Sequence, residues 1–213
     1  MKKKNKYFIL SAASFFSFVI WTVLLLFVDR APIGPDNSVV GFSALNGRFS
    51  RFVGNNMLLY QITDWLGLVP ICIALFFFVL GAVQLIKRKS ILKVDRSILL
   101  LGGIYLSVII VFLFFEVNII NYRPILIVGR LEASYPSSTT MLSLSVLITA
   151  AKELDKRINN RVFRRISVSF LILFAVFMTV ARVLSGVHWI TDIIGGVLIS
   201  TALSAGFIAL SDK

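Results

Sequence analysis

Apolar residues along the chain are grouped into six runs, which short polar segments separate. A helix needs about 20 mostly apolar residues to cross a hydrocarbon core of about 30 Å. The pattern therefore predicts an all-α, polytopic membrane protein in which residues 1–213 form a single transmembrane domain. The predicted spans are residues 7–28, 65–86, 97–117, 138–151, 166–184 and 190–210, of which the fourth is short and extends into its polar flanks.

The segment between the first two spans, residues 29–64, has an amphipathic pattern of its own. Arg48 and Arg51 lie within a set of apolar residues at helical spacing: Val39, Phe42, Leu45, Phe49, Phe52 and Val53. This pattern predicts a helix that lies in the outer membrane interface. Two interpretations stay open, because amphipathicity alone does not identify a ligand. The helix either lines the access route of an anionic lipid or is a structural connector packed against the bundle.

Composition and charge exclude several classes of protein. The chain is 58% hydrophobic and carries a net charge of +12, and its mean hydropathy is +0.91. Because this hydropathy is far above that of a soluble domain, the basic balance does not indicate nucleic acid binding. One Cys and one His exclude a disulfide framework and a cluster of His and Cys metal ligands.

The basic residues are unevenly distributed between the two sides of the predicted membrane. Cytoplasmic loops are enriched in Lys and Arg. With the N-terminus inside, the outer side is neutral, because six bases are matched by six acids. The bases are Arg30, Arg48, Arg51, Arg123, Arg130 and Arg182, and the acids are Asp29, Asp36, Asp64, Glu116, Glu132 and Asp192. The whole excess of +12 then lies on the inner face, so both termini are predicted to be cytoplasmic.

Three polar clusters fall at the outer ends of the third to sixth spans. They are Glu116 with Arg123-Pro124, the segment 135–140 (YPSSTT), and the segment 181–192 (ARVLSGVHWITD). Ionisable residues at membrane depth are costly to keep, which makes them functional candidates. The predicted topology puts all three clusters on one face of the membrane.

The third cluster contains the only histidine of the chain. On a helix, His188 and Asp192 share one face, so the carboxylate can accept a hydrogen bond from one ring nitrogen. The other nitrogen is then free to act as a base or a nucleophile. Arg182, across a Ser185-Gly186 turn, offers a planar fork for phosphate oxygens.

The second cluster marks the start of a helix. Ser137, Ser138 and Thr139 are ordinary N-cap residues, but the N-H groups of a helix N-terminus together with hydroxyls also bind anions. Both interpretations stay open and are compatible. Arg123 supplies a second guanidinium unless it extends to lipid headgroups. Two arginines, a helix N-terminus and an oriented histidine together describe a phosphoryl-binding site with a nucleophile.

These residues resemble the type-2 phosphatidic acid phosphatase superfamily, in its membrane lipid phosphatase branch. The pattern of that family is K-x6-R-P, then P-S-G-H, then S-R-x5-H-x3-D. The resemblance covers the second half of the chain by motif and the whole chain by topology. It implies six spans and an outward-facing site in which Arg123, Arg182 and Ser137 bind phosphate. It also implies that His188 attacks phosphorus to form a phosphohistidine, with Asp192 orienting the ring.

The chain departs from the family pattern at three positions. Glu116 replaces the lysine of the first motif, Thr139 replaces the histidine of the second, and Ala181 replaces the serine of the third. The nucleophile is retained, whereas the usual general acid is lost. Glu116 has two interpretations: it holds Arg123 or Arg182 as an ion partner, or its protonated form replaces the missing acid.

The resulting functional hypothesis is a metal-independent lipid phosphatase without a cofactor. A phosphate that leaves from a diphosphate has a second pKa of about 6 and departs largely unassisted, so lipid diphosphates are favoured. Polyprenyl (undecaprenyl) diphosphate, hydrolysed at the outer face of a bacterial plasma (inner) membrane, is the predicted substrate. The alternatives are a non-catalytic relative that binds or helps translocate phosphorylated lipids, and a purely structural membrane protein.

Overall fold

The computed structural model describes residues 2–211, with side chains from Lys4 onward. The predicted domain also includes Met1, Asp212 and Lys213, which lie outside the described residues. The side chains of Lys2 and Lys3 lie outside them as well. Within the described range the chain forms α1 (Lys2–Phe27), α2 (Ser43–Val53), α3 (Met57–Leu66), α4 (Leu68–Arg88), α5 (Arg96–Val117), α6 (Ser138–Arg157), α7 (Arg161–Leu184) and α8 (Ile190–Ser211). The predicted all-α class is confirmed: between residues 2 and 211, β pairing is limited to isolated bridges.

Five helical segments of residues 2–211 are long and apolar enough to cross a membrane: α1, α3 together with α4, α5, α7 and α8. Helix α6 is not among them. Its 20 residues make a helix of about 30 Å, which is long enough. However, Ser143, Ser145 and Thr149 on it are polar and buried. Because α6 packs against α4, α5, α7 and α8, these side chains face protein. The fourth predicted span, 138–151, which lies in α6, and the orientation of the termini stay predictions.

Residues 29–64 form two helices where the sequence predicted one. Helix α2 corresponds to the predicted interfacial helix, and α3 was missed. Helix α2 ends at Gly54, because the positive φ of 69° at this residue is not helical. The Asn56 side chain then accepts a hydrogen bond from the Leu59 N-H at 2.9 Å and caps α3. Helix α3 continues through Gly67 into α4, so the helical segment that contains the second predicted span, 65–86, begins at Met57.

Small residues in α8 allow the segments around the site to approach it closely. A Cβ on Gly195 would lie 2.5 Å from the Tyr135 ring, and one on Gly196 would lie 3.1 Å from the Ser137 carbonyl. The residues before α6 and the first turn of α6 therefore rest directly on the α8 backbone. This packing fixes the N-terminus of α6 relative to the first turn of α8.

Candidate active site

The three polar clusters meet at one end of the helix bundle. The Arg123 Nη1 atom lies 3.3 Å from His188 Nε2, and Arg182 Nη2 donates a hydrogen bond of 2.7 Å to Thr139 Oγ1. Both guanidinium groups lie over the ring of Tyr60, at 5.8 Å and 4.8 Å from its centroid. Residues from the 118–137 segment, α3, α6, α7 and the α7–α8 loop thus form one compact site.

The contact between Arg123 and His188 determines which ring nitrogen is unprotonated. A guanidinium N-H only donates, so Nε2 of His188 is the acceptor, and the neutral ring carries its proton on Nδ1. A neutral imidazole with a free Nε2 lone pair is the nucleophilic form. The residue is buried, so bulk water does not compete for this nitrogen.

Asp192 lies beside His188 but is held by other groups. Its Oδ2 atom is 3.8 Å from His188 Nδ1, which is too long for a hydrogen bond. Its oxygens instead accept hydrogen bonds of 3.0 Å from the Asn121 amide and from the Trp189 N-H. The predicted hydrogen bond between His188 and Asp192 is therefore absent from this structure, because the carboxylate caps the first turn of α8 and bonds to Asn121.

The two arginines have carboxylate partners other than the predicted one. The Nε atom of Arg123 lies 3.1 Å from the carboxylate of Glu132. The backbone N-H of Arg123 also donates a hydrogen bond of 3.0 Å to the backbone carbonyl of Glu132. Arg182 pairs with Asp64 at 3.5 Å. The interpretation that Glu116 holds one of these arginines is therefore wrong for the described contacts. The Glu116 side chain is exposed at the end of α5, whereas backbone pairing brings Glu132 next to Arg123.

Helix α3 supplies partners for Arg182 that the sequence did not indicate. Arg182 is only 1% exposed, and its Nη1 atom donates to Thr63 Oγ1 at 3.0 Å and to the Tyr60 carbonyl at 3.4 Å. Tyr60 and Thr63 were missed because no motif marks them. Asp64 was recognised only as an outer acid. Asn121 lies two residues before Arg123, and this spacing in N-Y-R-P is the one signal that could have identified it.

The N-terminus of α6 contributes the second motif. Ser137 is fully buried, and its hydroxyl donates to Thr140 Oγ1 at 3.0 Å. Ser138, Glu116 and His188 line one small cavity of about 20 Å³, which is room for about one water molecule. A phosphate that contacts Nε2 therefore requires the Arg123 guanidinium to move off the imidazole.

The charges around His188 favour its neutral form. Burial holds the pKa of the His188 imidazole well below its ordinary value of 6.5, and the nearby positive charges of Arg123 and Arg182 lower the pKa further. As the pH falls, the ring therefore stays neutral to lower pH than a solvated histidine does.

We expect ¹⁵N-histidine NMR spectra to give a titration midpoint below pH 6.5. Assignment is unambiguous, because His188 is the only histidine. Replacing Arg123 by Gln should raise the midpoint, since one of two nearby cations is lost. The control is Arg130→Gln, which removes an exposed charge of the same segment and should leave the midpoint unchanged. A wild-type midpoint at or above 6.5 would contradict this view of the site.

Gly186 joins the loop that carries His188 to the α2–α3 connection. Its φ is +66°, and a Cβ at this position would lie 1.8 Å from the Gly54 carbonyl oxygen. Next to it, the Asn56 N-H donates to the Ser185 carbonyl at 2.9 Å. The close approach of the two backbones needs glycine for both its conformation and its size.

Replacing Gly186 by Ala should therefore displace the His188 loop. Gly129→Ala is a matched control, since Gly129 also has a positive φ (72°) but has no atoms within 4 Å of its Cβ position. The control should cost about 1–2 kcal/mol of unfolding free energy from the left-handed backbone alone. Gly186→Ala should cost about 1–3 kcal/mol more, because of the clash. Equal losses for the two variants in denaturant unfolding would refute the packing explanation.

The second half of the chain matches a known protein family. The family model of the PAP2 superfamily matches residues 114–213. Residues 114–213 belong to the PAP2 superfamily. The matched range contains Arg123, the N-terminus of α6 and His188, so the family resemblance predicted from the sequence is confirmed.

The PAP2 fold extends over nearly the whole chain. The structure is similar to the crystal structure of a transmembrane PAP2 type phosphatidylglycerolphosphate phosphatase from Bacillus subtilis, with a TM-score of 0.62, 18% identity and 94% of each chain covered. No curated protein sequence matches significantly. Together with the apolar helices, these likenesses describe a multi-pass membrane protein with the fold of a PAP2 membrane phosphatase.

Proposed function

We propose that this chain is an integral membrane lipid phosphatase that hydrolyses a polyprenyl diphosphate. The observation that carries the proposal is the convergence of a buried imidazole, whose Nε2 is unprotonated, with two guanidinium groups. Phosphoryl transfer needs a nucleophile and fixed positive charge around the transferred group, and this arrangement supplies both.

The proposed reaction proceeds in two steps, formation and hydrolysis of a phosphohistidine. Arg123 and Arg182 bind oxygens of the terminal phosphate, aided by the N-terminus of α6 around Ser138 and Thr139. The Nε2 lone pair of His188 then attacks phosphorus, and the bridging P-O bond breaks with its electron pair leaving on polyprenyl phosphate. Water next attacks phosphorus, the P-N bond breaks with its electron pair returning to Nε2, and inorganic phosphate leaves with the oxygen of the water molecule while the second water proton goes to solvent. The Asp192 carboxylate, whose Oδ2 atom lies 3.8 Å from Nδ1, stabilises the positive charge that the His188 ring carries in the phosphohistidine.

The first step favours a diphosphate because the usual acid is replaced. Thr139 stands where the family has histidine, and its Oγ1 accepts a hydrogen bond from Arg182 at 2.7 Å. A threonine hydroxyl does not protonate a leaving group at neutral pH. A phosphate leaving group departs without this help, whereas an alkoxide does not.

Glu116 is the substitute acid in this proposal. It lines the same small cavity as His188 and Ser138. Glu116→Gln should lower hydrolysis of a phosphate monoester such as phosphatidate about 10²-fold, because a general acid contributes about that much. Diphosphate hydrolysis should fall less than about tenfold. The control is Asp36→Asn, an exposed acid in the α1–α2 connection. Equal losses on both substrates would count against the acid role.

In the direct test, purified protein is incubated with each of three lipids in the presence of a chelator, and phosphate release is measured. The lipids are polyprenyl diphosphate, phosphatidylglycerophosphate and phosphatidate. Phosphate release should be fastest from the diphosphate. Release that needs an added metal, or fastest release from phosphatidate, would contradict the proposal. Lipid binding with no turnover would instead support a non-catalytic relative, which is favoured by the Arg123 contact that occupies Nε2 in this structure.

The proposed site faces outward from a bacterial plasma membrane, with both termini inside. The support is the charge distribution: the ends of α4 and α6 that lie away from His188 carry basic residues in their last turns, namely Lys87, Arg88, Lys156 and Arg157. The end of the bundle that carries His188 combines basic and acidic residues in pairs. Positive charge concentrates on the cytoplasmic side of membrane proteins.

A further inference from the structure

A large apolar groove lies between α4 and α7, outside the site described above. Its volume is about 610 Å³, and Leu154 of α6 and the buried Phe77 and Leu171 are among the residues that line it. Its lining is almost wholly hydrocarbon, with Cys72 and Ser167 as the only side chains of another kind. A groove of this size is in the range of small-molecule sites, which is about 300–1,000 Å³.

One end of the groove lies close to the candidate active site along the helix that α3 and α4 form. Asp64, near the end of α3, pairs with Arg182, and α3 passes through Gly67 directly into α4. Leu68, at the start of the groove, is four residues beyond Asp64, which is about 6 Å along the helix. A lipid phosphate held by Arg182 would therefore lie about one helical turn from the Leu68 end of the groove.

The depth of the groove distinguishes between kinds of lipid chain. On α7, Ile166 lines the groove 16 residues before Arg182, which is about 24 Å along the helix. With an ordinary helix tilt of about 20°, this is still about 22 Å of depth. One leaflet accounts for about 15 Å, half of the hydrocarbon thickness. The groove thus extends farther from Arg182 than the hydrocarbon thickness of one leaflet.

We propose that the α4–α7 groove is the binding site for the polyisoprenyl chain of the substrate. This inference rests on the proposed function, since it takes the phosphate to be at Arg182. The groove binds one long, wholly apolar chain, and its deep end discriminates between long and short chains. The short chain of farnesyl diphosphate ends before the residues around Ser167, whereas undecaprenyl diphosphate passes them.

The test is to fill the deep end of the groove. Ser167→Trp should lower kcat/KM for undecaprenyl diphosphate at least tenfold and leave that for farnesyl diphosphate within about twofold. The control is Leu173→Trp on the same helix, which is 69% exposed and outside the groove, and which should change neither. Retained farnesyl diphosphate hydrolysis also shows that the variant is folded. Equal changes with both substrates would overturn the groove proposal and leave the phosphatase proposal standing.

A binding measurement tests the groove without turnover. Wild-type protein is irradiated with an undecaprenyl diphosphate analogue that carries a diazirine on its chain, and labelled peptides are mapped by mass spectrometry. Labels should fall on peptides that contain Cys72 and Ser167, and undecaprenyl diphosphate should compete while phosphatidylglycerol should not. Labelling elsewhere would overturn the proposal. Equal competition by phosphatidylglycerol would also overturn it, because the groove would then bind an ordinary bilayer lipid. Absence of hydrolysis with groove labelling intact would contradict only the phosphatase function.

Discussion

Replacing His188 by Ala is expected to lower phosphate release from a lipid diphosphate by about 10³-fold or more, because removing a covalent nucleophile eliminates the chemical pathway. No second histidine exists that could take over. Arg123 and Arg182 stay in place, so the variant should still bind the lipid. Assays of phosphate release and of lipid binding on the same preparation separate these two effects.

Trapping of a phosphorylated enzyme intermediate is a second test of His188 as the nucleophile. Brief exposure of wild-type protein to a diphosphate labelled in its terminal phosphate, followed by alkaline quenching, should trap label on the peptide that contains His188. Phosphohistidine is lost in acid, whereas a phosphoserine at Ser137 or Ser138 would survive. Activity of His188→Ala within tenfold of wild type, or acid-stable label, would refute the nucleophile assignment.

Replacing Arg182 by Lys should have the second largest effect, although the charge is kept. The guanidinium donates to Thr63 and Thr139 from two nitrogens and lies over the Tyr60 ring, 4.8 Å from its centroid. A lysine ammonium cannot reproduce this planar fork. Losing one or two charge-assisted hydrogen bonds, at about 1.5–3 kcal/mol each, corresponds to a fall of about 10–10⁴-fold in kcat/KM.

The matched control is Arg48→Lys, an exposed position of α2, which should keep full activity. Denaturant unfolding of Arg182→Lys separates lost phosphate binding from lost folding. A normal kcat/KM in the lysine variant would contradict the role of the fork. Activity lost in proportion to the folded fraction would assign Arg182 a structural role only.

Local spacing in the sequence predicted part of the site. His188 and Asp192 are four residues apart, and the structure does bring them within 3.8 Å. Whether they form a hydrogen bond depends on the orientation of the carboxylate, which Asn121 and the Trp189 N-H determine. Asn121 is 71 residues away in sequence, so no local pattern indicates this competition.

The partners of the arginines show the same limit. The sequence contained six outer acids, and Glu116 was preferred for its place in the first motif. Backbone pairing of residues 121–134 puts Glu132 beside Arg123, and the fold of α3 puts Asp64 beside Arg182. Both choices follow from chain geometry over long distances, because an ion pair requires only proximity and not a motif.

Helix α6 illustrates how burial overrides composition. Its predicted span, 138–151, was the short one of the six, and α6 is not among the five helical segments of residues 2–211 that are long and apolar enough to cross a membrane. Yet Ser143, Ser145 and Thr149 are buried between neighbouring helices. Hydropathy assumes that a helix faces lipid, so it underestimates one that faces protein.

Local order along the chain was enough to predict the all-α class, the apolar segments, the three motifs and the family resemblance, because hydropathy and residue spacing are properties of contiguous chain. Which groups meet in the site was set by the folded structure. It put Tyr60 under both arginines, gave each arginine its carboxylate and opened the groove between α4 and α7. These contacts join residues far apart in sequence, and their geometry depends on helix packing, which no single segment encodes.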